Sequence, residues 1–182
     1  LFDREGNLCG LGRVEVAKDI PLDGYCELPV TRFWSFLNDG LKQACQQAGA
    51  LPSDIVGIGY SSQANSFILI DKKNKPLASI IIWNDKRAKI YPQVKEIFAK
   101  PDFLQTTGFG IEPKSTLCIN KLLWFQEKQA DIWQKTEHIM TISDYLIFSL
   151  TGEKASDAGT SSMLGITDTQ HCRWWKTAFD TI

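Results

Sequence analysis

The sequence predicts an α/β fold, a mixed sheet with helices flanking it. Three observations carry that expectation. Residues 55–60, IVGIGY, form an apolar run without alternation, the pattern of a parallel strand covered by helices on both faces. Two more apolar runs, 67–71 (FILID) and 77–83 (LASIIIW), are joined by KKNKP, which reads as a hairpin extending the sheet. Around these runs apolar residues recur at helical spacing, first at Phe33, Leu37, Leu41, Ala44 and Ala48.

Taken in order, Leu1-Phe2-Asp3 reads as the end of a strand. Arg4-Glu5-Gly6-Asn7 reads as a tight turn, because Gly and Asn tolerate positive φ, and Leu8 to Val16 as the returning strand. So short a first arm is not a stable unit, and the pattern predicts residues upstream of Leu1. A loop carrying Pro21 and Gly24 leads to the first helix, opened by Pro29 and closed by Gly49. After the hairpin, Ile90, Val94, Ile97 and Phe98 line one helix face, which Pro92 either kinks or starts later. Residues 106–110 read as a loop, 117–126 and 130–135 as helices, and 138–141 as a short strand. A helix over 143–150 stops at Thr151-Gly152. Trp175, Phe179 and Ile182 begin a stripe with no continuation in the chain, which predicts residues downstream. The whole of 1–182 falls in one partial lobe, without internal repeats.

Composition narrows the function. The chain has 182 residues and a net charge of −1, and its densest basic cluster is Lys72, Lys73 and Lys75 at the hairpin tip. Nucleic acid is therefore not expected as a partner. No apolar run approaches the roughly 18 residues of a membrane span. Five cysteines, at 9, 26, 45, 118 and 172, are scattered, with no CxxC pair and no secretory signal. Reduced thiols in the cytoplasm are the expectation. The two histidines, His138 and His171, lie too far apart in sequence to suggest a zinc site.

The chemistry-bearing residues sit where apolar runs end. Ser61-Ser62-Gln63-Ala64-Asn65-Ser66 follows the first strand, and open α/β sheets bind ligands beyond the carboxyl ends of their strands. Gln63 and Asn65 each offer a donor and an acceptor, enough to read a hydroxyl in either sense. A polar turn capping its own backbone accounts for the same residues equally well. Trp83-Asn84-Asp85-Lys86-Arg87 ends the third run. Its indole can stack on the C–H face of a sugar. Asn84 or Asp85 equally suits the N-cap of a helix, with Arg87 the structural partner of a nearby carboxylate. On Lys121-Leu122-Leu123-Trp124-Phe125 the apolar residues are expected to pack and Lys121 to be exposed. There is no GxxxxGK[ST] phosphate loop, no GxGxxG and no nucleophile elbow.

In order, these segments resemble the N-terminal half of an FGGY-family carbohydrate kinase, the group of glycerol, xylulose and gluconate kinases. The resemblance rests on Gly24-Tyr25-Cys26-Glu27 with Phe33-Trp34, on Tyr60-Ser61-Ser62-Gln63, and on Trp83-Asn84-Asp85-Lys86-Arg87. Thr107-Gly108, Lys121-Leu122-Leu123-Trp124, Asp144-Tyr145-Leu146, Leu150-Thr151-Gly152-Glu153 and Ser156-Asp157 continue it. It implies an actin-like, ribonuclease-H-like N-terminal lobe and ATP- and Mg²⁺-dependent phosphorylation of a sugar, sugar acid or polyol, a xylulose-like substrate favoured. A non-catalytic actin-like or sugar-binding module is the alternative. By carry-over Gln63, Ala64 and Asn65 contact the sugar, with Trp83, Asp85 and Lys114 near it and Ser115 beside Lys114. The chain departs from the xylulose-kinase pattern Gln-Met-His at Gln63-Ala64-Asn65, and Cys118 stands where Pro, Ser or Thr is usual. The resemblance places the phosphate turn before Leu1 and the general-base aspartate beyond Ile182. It therefore implies no catalytic, nucleotide or metal residues within the chain, no turnover by the fragment alone, a C-terminal lobe as partner, and a homodimeric parent enzyme. Apolar surface made for the second lobe is expected to drive self-association.

Overall fold

A computed structural model describes residues 1–182. Its centre is a sheet of β1 (Glu27–Leu28), β2 (Phe67–Asp71), β3 (Ile80–Ile81) and β4 (Thr136–Thr141), in the spatial order β1-β3-β2-β4. Every pairing is antiparallel, with Phe67 opposite Ile81 on one side and Thr141 on the other. The start of β2 and the ends of β3 and β4 thus share one end of the sheet.

Side chains of β2 alternate between two cores, as a period of two requires. Phe67 and Leu69 join Ile81, Val94, Ile97, Ile119 and Phe125 on one face. Ile68 and Ile70 join Ile80, Ile82, Met140 and Tyr145 on the other, with Phe33 and Trp34 packed against them. All four residues Phe67–Ile70 are wholly buried, each contributing on the order of 1.5–3 kcal/mol. Helices cover both faces. On the second lie α1 (Val30–Ala48), ended by left-handed Gly49 (φ 62°), and α6 (Ile142–Thr151), ended by left-handed Gly152 (φ 79°). Thr141 and Asp144 cap α6 reciprocally, each side chain bonding the other's backbone N–H. On the first face lie α2 (Pro92–Phe98), α3 (Phe103–Thr107), α4 (Cys118–Lys128) and α5 (Ala130–Lys135). α2 starts at Pro92, the first-turn position that wastes no N–H. α3 takes in Thr106 and Thr107, expected as loop, before Gly108 closes it. α7 (Ala158–Ser162), the small hairpin of β5 (Thr167–Asp168) and β6 (Arg173–Trp174), and α8 (Lys176–Thr181) complete the chain.

The α/β layering is as expected, but two strands are not. Residues 55–60 pair with no other segment and are largely exposed, Val56 by 86% and Ile58 by 66%. An apolar run identifies a strand only where a backbone partner exists, and this one has none; Tyr60 reaches α6 only through its hydroxyl, which meets Ser143 Oγ at 3.2 Å. Without it the sheet is antiparallel rather than mixed. Leu8–Val16 likewise pairs only at Leu8 with Phe2. The segment instead lies along α1, whose Gln47 and Gln43 side-chain oxygens accept from the N–H groups of Leu11 (2.6 Å) and Arg13 (3.1 Å). The approach depends on glycine: a Cβ on Gly12 would overlap the carbonyl oxygen of Gly40, and one on Gly10 that of Ala44.

Candidate functional site

Three segments meet at the shared end of the sheet: 61–66 entering β2, 82–87 leaving β3, and 114–118 leading into α4. Antiparallel pairing of β2 with β3 brings the first two together.

Asn65 ties all three. It adopts a left-handed backbone (φ 61°), which asparagine tolerates. Its Oδ1 accepts from the N–H of Cys118 at 2.6 Å, satisfying an orphan donor in the first turn of α4 that the preceding Leu117 cannot cap. Its Nδ2 donates to the carbonyls of Thr116 (2.8 Å) and Trp83 (3.4 Å). The side chain is buried, and one lone pair of Oδ1 is left over. Next to it, the Ser66 hydroxyl is buried without a partner.

Asp85 is wholly buried. Oδ1 accepts from the backbone N–H of Arg87 (3.0 Å) and from its Nε (2.9 Å). Oδ2 accepts from the N–H of Cys26 (2.6 Å) and from Arg87 Nη2 (2.8 Å). Four bonds fill a carboxylate's acceptor sites, so Asp85 braces the loop. It does not cap a helix: α2 begins only at Pro92. Arg87 Nη2 also donates to Glu27 Oε1 at 2.6 Å, and the guanidinium stacks 4.2 Å from the Tyr25 ring. Burial works against the charge of Arg87, but its bonds to Asp85 and Glu27 outweigh it and raise its pKa. The result joins β1 to the end of β3.

The remaining expected site residues face solvent. Gln63 is exposed, Ala64 half-buried, and Trp83 50% exposed. Lys114 is exposed and Ser115 half-buried. The Lys114 carbonyl accepts from Asn120 Nδ2 (2.9 Å), while Asn120 Oδ1 receives the N–H of Tyr91 (2.9 Å). Buried Asn120 thereby fixes the loop that presents Lys114.

Lys121 overturns its expected exposure. The first turns of α4 are buried all round, so no face is left for a solvated lysine. Lys121 is wholly buried, and its Nζ donates to the carbonyls of Asn65 (3.2 Å), Ile82 (3.1 Å) and Trp83 (3.4 Å). Burial lowers its pKa to about 8. In CINKLLWF only Asn120 and Lys121 are polar, and both are wholly buried.

Cavities also lie elsewhere on the molecule. An apolar groove of about 430 Å³ runs between Gly10–Val16 and α1, and a more polar one of about 410 Å³ lies beside Ser161 and Arg173. The groove offers no converging polar groups for a hydroxylated ligand. Nowhere do three His, Cys, Asp or Glu side chains converge as a metal site needs.

Comparison with known proteins decides the family. Residues 1–182 match the N-terminal domain of the FGGY family of carbohydrate kinases from end to end. The chain belongs to that family. A glycerol kinase from Thermococcus gammatolerans is 28% identical over 179 residues, covering 96% of this chain and 36% of its own length. A xylulose kinase from Lactococcus lactis is 29% identical over 170 residues, covering 91% of this chain and 33% of its own. Among solved structures, a xyloylose kinase from Brucella ovis superposes with a TM-score of 0.85 at 28% identity, covering 99% of this chain and 37% of that one. This FGGY chain therefore spans about a third of the length of the relatives it matches, and its fold is that of an actin-like kinase lobe. Glycerol and xylulose kinases stand side by side among its relatives, so kinship does not single out one sugar.

Proposed function

We propose that this lobe binds the acceptor of an ATP- and Mg²⁺-dependent carbohydrate kinase, which phosphorylates a hydroxyl of a sugar, sugar acid or polyol. The observation that carries the reading is the junction of 61–66, 82–87 and 114–118 within a chain of this family. Exposed Gln63 and Trp83 lie on two of the joined loops. Gln63 offers both senses of hydrogen bond, and the indole offers an apolar platform for C–H groups. The spare lone pair of Asn65 Oδ1 accepts one hydroxyl, Ala64 leaves space, and Lys114 stands at the rim. Asp85 holds the platform from behind.

Phosphoryl transfer needs positioning, metal neutralisation of charge and an activated hydroxyl. This chain offers groups for the first, so alone it binds the acceptor without turning it over, and nucleotide and metal are held by a second lobe. A xylulose-like substrate remains compatible with Gln63 and Asn65, as does glycerol. The test is calorimetric titration of the chain with xylulose, gluconate and glycerol, alongside an ATP-consumption assay. Binding that Gln63→Ala and Trp83→Ala abolish, without ATP consumption, is the expected result. Turnover by the chain alone overturns the division between lobes, and no binding by any of the three overturns the site.

A further inference from the structure

Lys121 projects from α4 toward the sheet end and is wholly buried. No carboxylate pairs with it, since its three contacts are all backbone carbonyls. A leucine or methionine would fill the same volume without a charge to desolvate, so packing alone does not account for an ammonium here. The three acceptors are informative. Asn65 O belongs to the left-handed turn that ends the 61–66 loop, and Ile82 O and Trp83 O to the point where β3 becomes the 83–87 loop. An ammonium has three donors, and here three carbonyl oxygens lie within reach of it.

The acceptors differ in what else holds them. The Ile82 carbonyl also receives the N–H of Asp85 (3.0 Å), and that of Trp83 receives Asn65 Nδ2 (3.4 Å). Lys121 is the donor that bridges the Asn65 carbonyl to both. Its stem passes the ring of Phe67, with Nζ 5.7 Å from the ring centre. The ammonium therefore sits behind the two loops and closes a ring of hydrogen bonds among α4, 61–66 and 82–87.

We propose that Lys121 is the positioning residue of this site: through the carbonyls of Asn65, Ile82 and Trp83 it sets the two loops that carry Gln63 and Trp83 against each other. The consequence for acceptor binding rests on the function proposed above, whereas the loop-setting role does not. Lys121 touches no substrate. It acts through backbone, and removing it frees the loops while leaving both cores in place.

The experiment compares the wild-type chain with Lys121→Met, which keeps the stem and removes the donors, by amide hydrogen exchange. The expected result is at least tenfold faster exchange confined to 82–87, whose amides are hydrogen-bonded, with β2, β4 and α6 unchanged. An unchanged loop, or acceleration spread evenly over the chain, overturns the proposal. A second measurement needs no variant. In spectra of the wild-type chain labelled with ¹⁵N and ¹³C, one lysine ammonium should be shielded from solvent exchange and show through-bond coupling to the carbonyls of Asn65, Ile82 and Trp83. The absence of any shielded ammonium overturns the proposal even if the variant does not fold. Titration with glycerol, xylulose and gluconate separates the two readings. If the exchange result holds and none of the three perturbs either loop, Lys121 keeps its role and the acceptor-site reading fails. If one binds, Lys121→Met should weaken it at least tenfold, and unchanged affinity overturns the positioning role.

Discussion

Asp85 and Arg87 close on one another across a single intervening residue, with Nε to Oδ1 at 2.9 Å and Nη2 to Oδ2 at 2.8 Å. The two-pronged geometry holds the turn after β3 rigid, and neither side chain is appreciably exposed, Asp85 at 0% and Arg87 at 3%. Cutting one partner from such a pair strands a buried charge, at about 3–5 kcal/mol. Arg87→Met is therefore expected to lower unfolding free energy by about that amount. The double variant Asp85→Asn, Arg87→Met should lose less than the sum of the two single losses. Urea denaturation of the four proteins measures both.

Gly12 and Gly40 make a second, opposed pair. A side chain on Gly12 drives into the backbone of α1, so Gly12→Ala should cost about 1–3 kcal/mol as an overpacked contact. The nearest atom to a Cβ on Gly40 is Val14 Cγ2 at 3.8 Å, an ordinary contact. Gly40→Ala should therefore stabilise α1 by up to about 1 kcal/mol. Thermal melts of the two variants should move in opposite directions.

Lys121 gives stability a pH dependence of definite sign. Its pKa is lowered from 10.5 to about 8, chiefly by burial and in the same sense by the Arg87 charge, against the opposing pull of Cys118, Asp85 and Cys26. Between these values the unfolded chain binds more protons than the folded one, so this group's contribution rises with pH. It rises from about pH 8 to about 10.5 by on the order of 3 kcal/mol. Cys118 works in the opposite sense above pH 9, because burial raises its thiol to about 12. The difference between wild type and Lys121→Met isolates the lysine. That difference should shift in favour of wild type on going from pH 7 to pH 10, and a flat difference by urea denaturation counts against a buried charge.

Residues 55–60 present unpaired backbone and apolar side chains together, the combination that recruits another strand. The chain should self-associate as concentration rises. Val56→Lys puts a charge at the most exposed of these positions and should shift sedimentation toward the monomer.

The sequence was most legible where local pattern and tertiary environment agree. Residues 67–71 read as a strand because four consecutive side chains fill two cores, and Gly49 and Gly152 closed helices where their positive φ is needed. It misled where a pattern required a partner: IVGIGY has the composition of a buried strand, but burial depends on what lies beside it. The junction was half visible. Asn65 and Asp85 stood out as polar residues at strand ends, yet Asp85 is fully satisfied within the protein and Asn65 keeps only one spare lone pair on Oδ1. Lys121 escaped because residue type predicts exposure for lysine, while only the packing around α4 reveals that no solvent face remains.

The bonds at the Asn65 junction reach 18, 51, 53 and 56 residues along the chain. The shortest spans the β2–β3 hairpin, but the other three cannot form in a local helix or hairpin and must wait for a long loop to close. The junction is accordingly a late event in folding, and a partly folded chain has helices and strands but no site. A single backbone cut between Asp71 and Cys118 that let the pieces drift apart would erase it while sparing most secondary structure, which makes the junction a sensitive reporter of whether the lobe has been assembled at all.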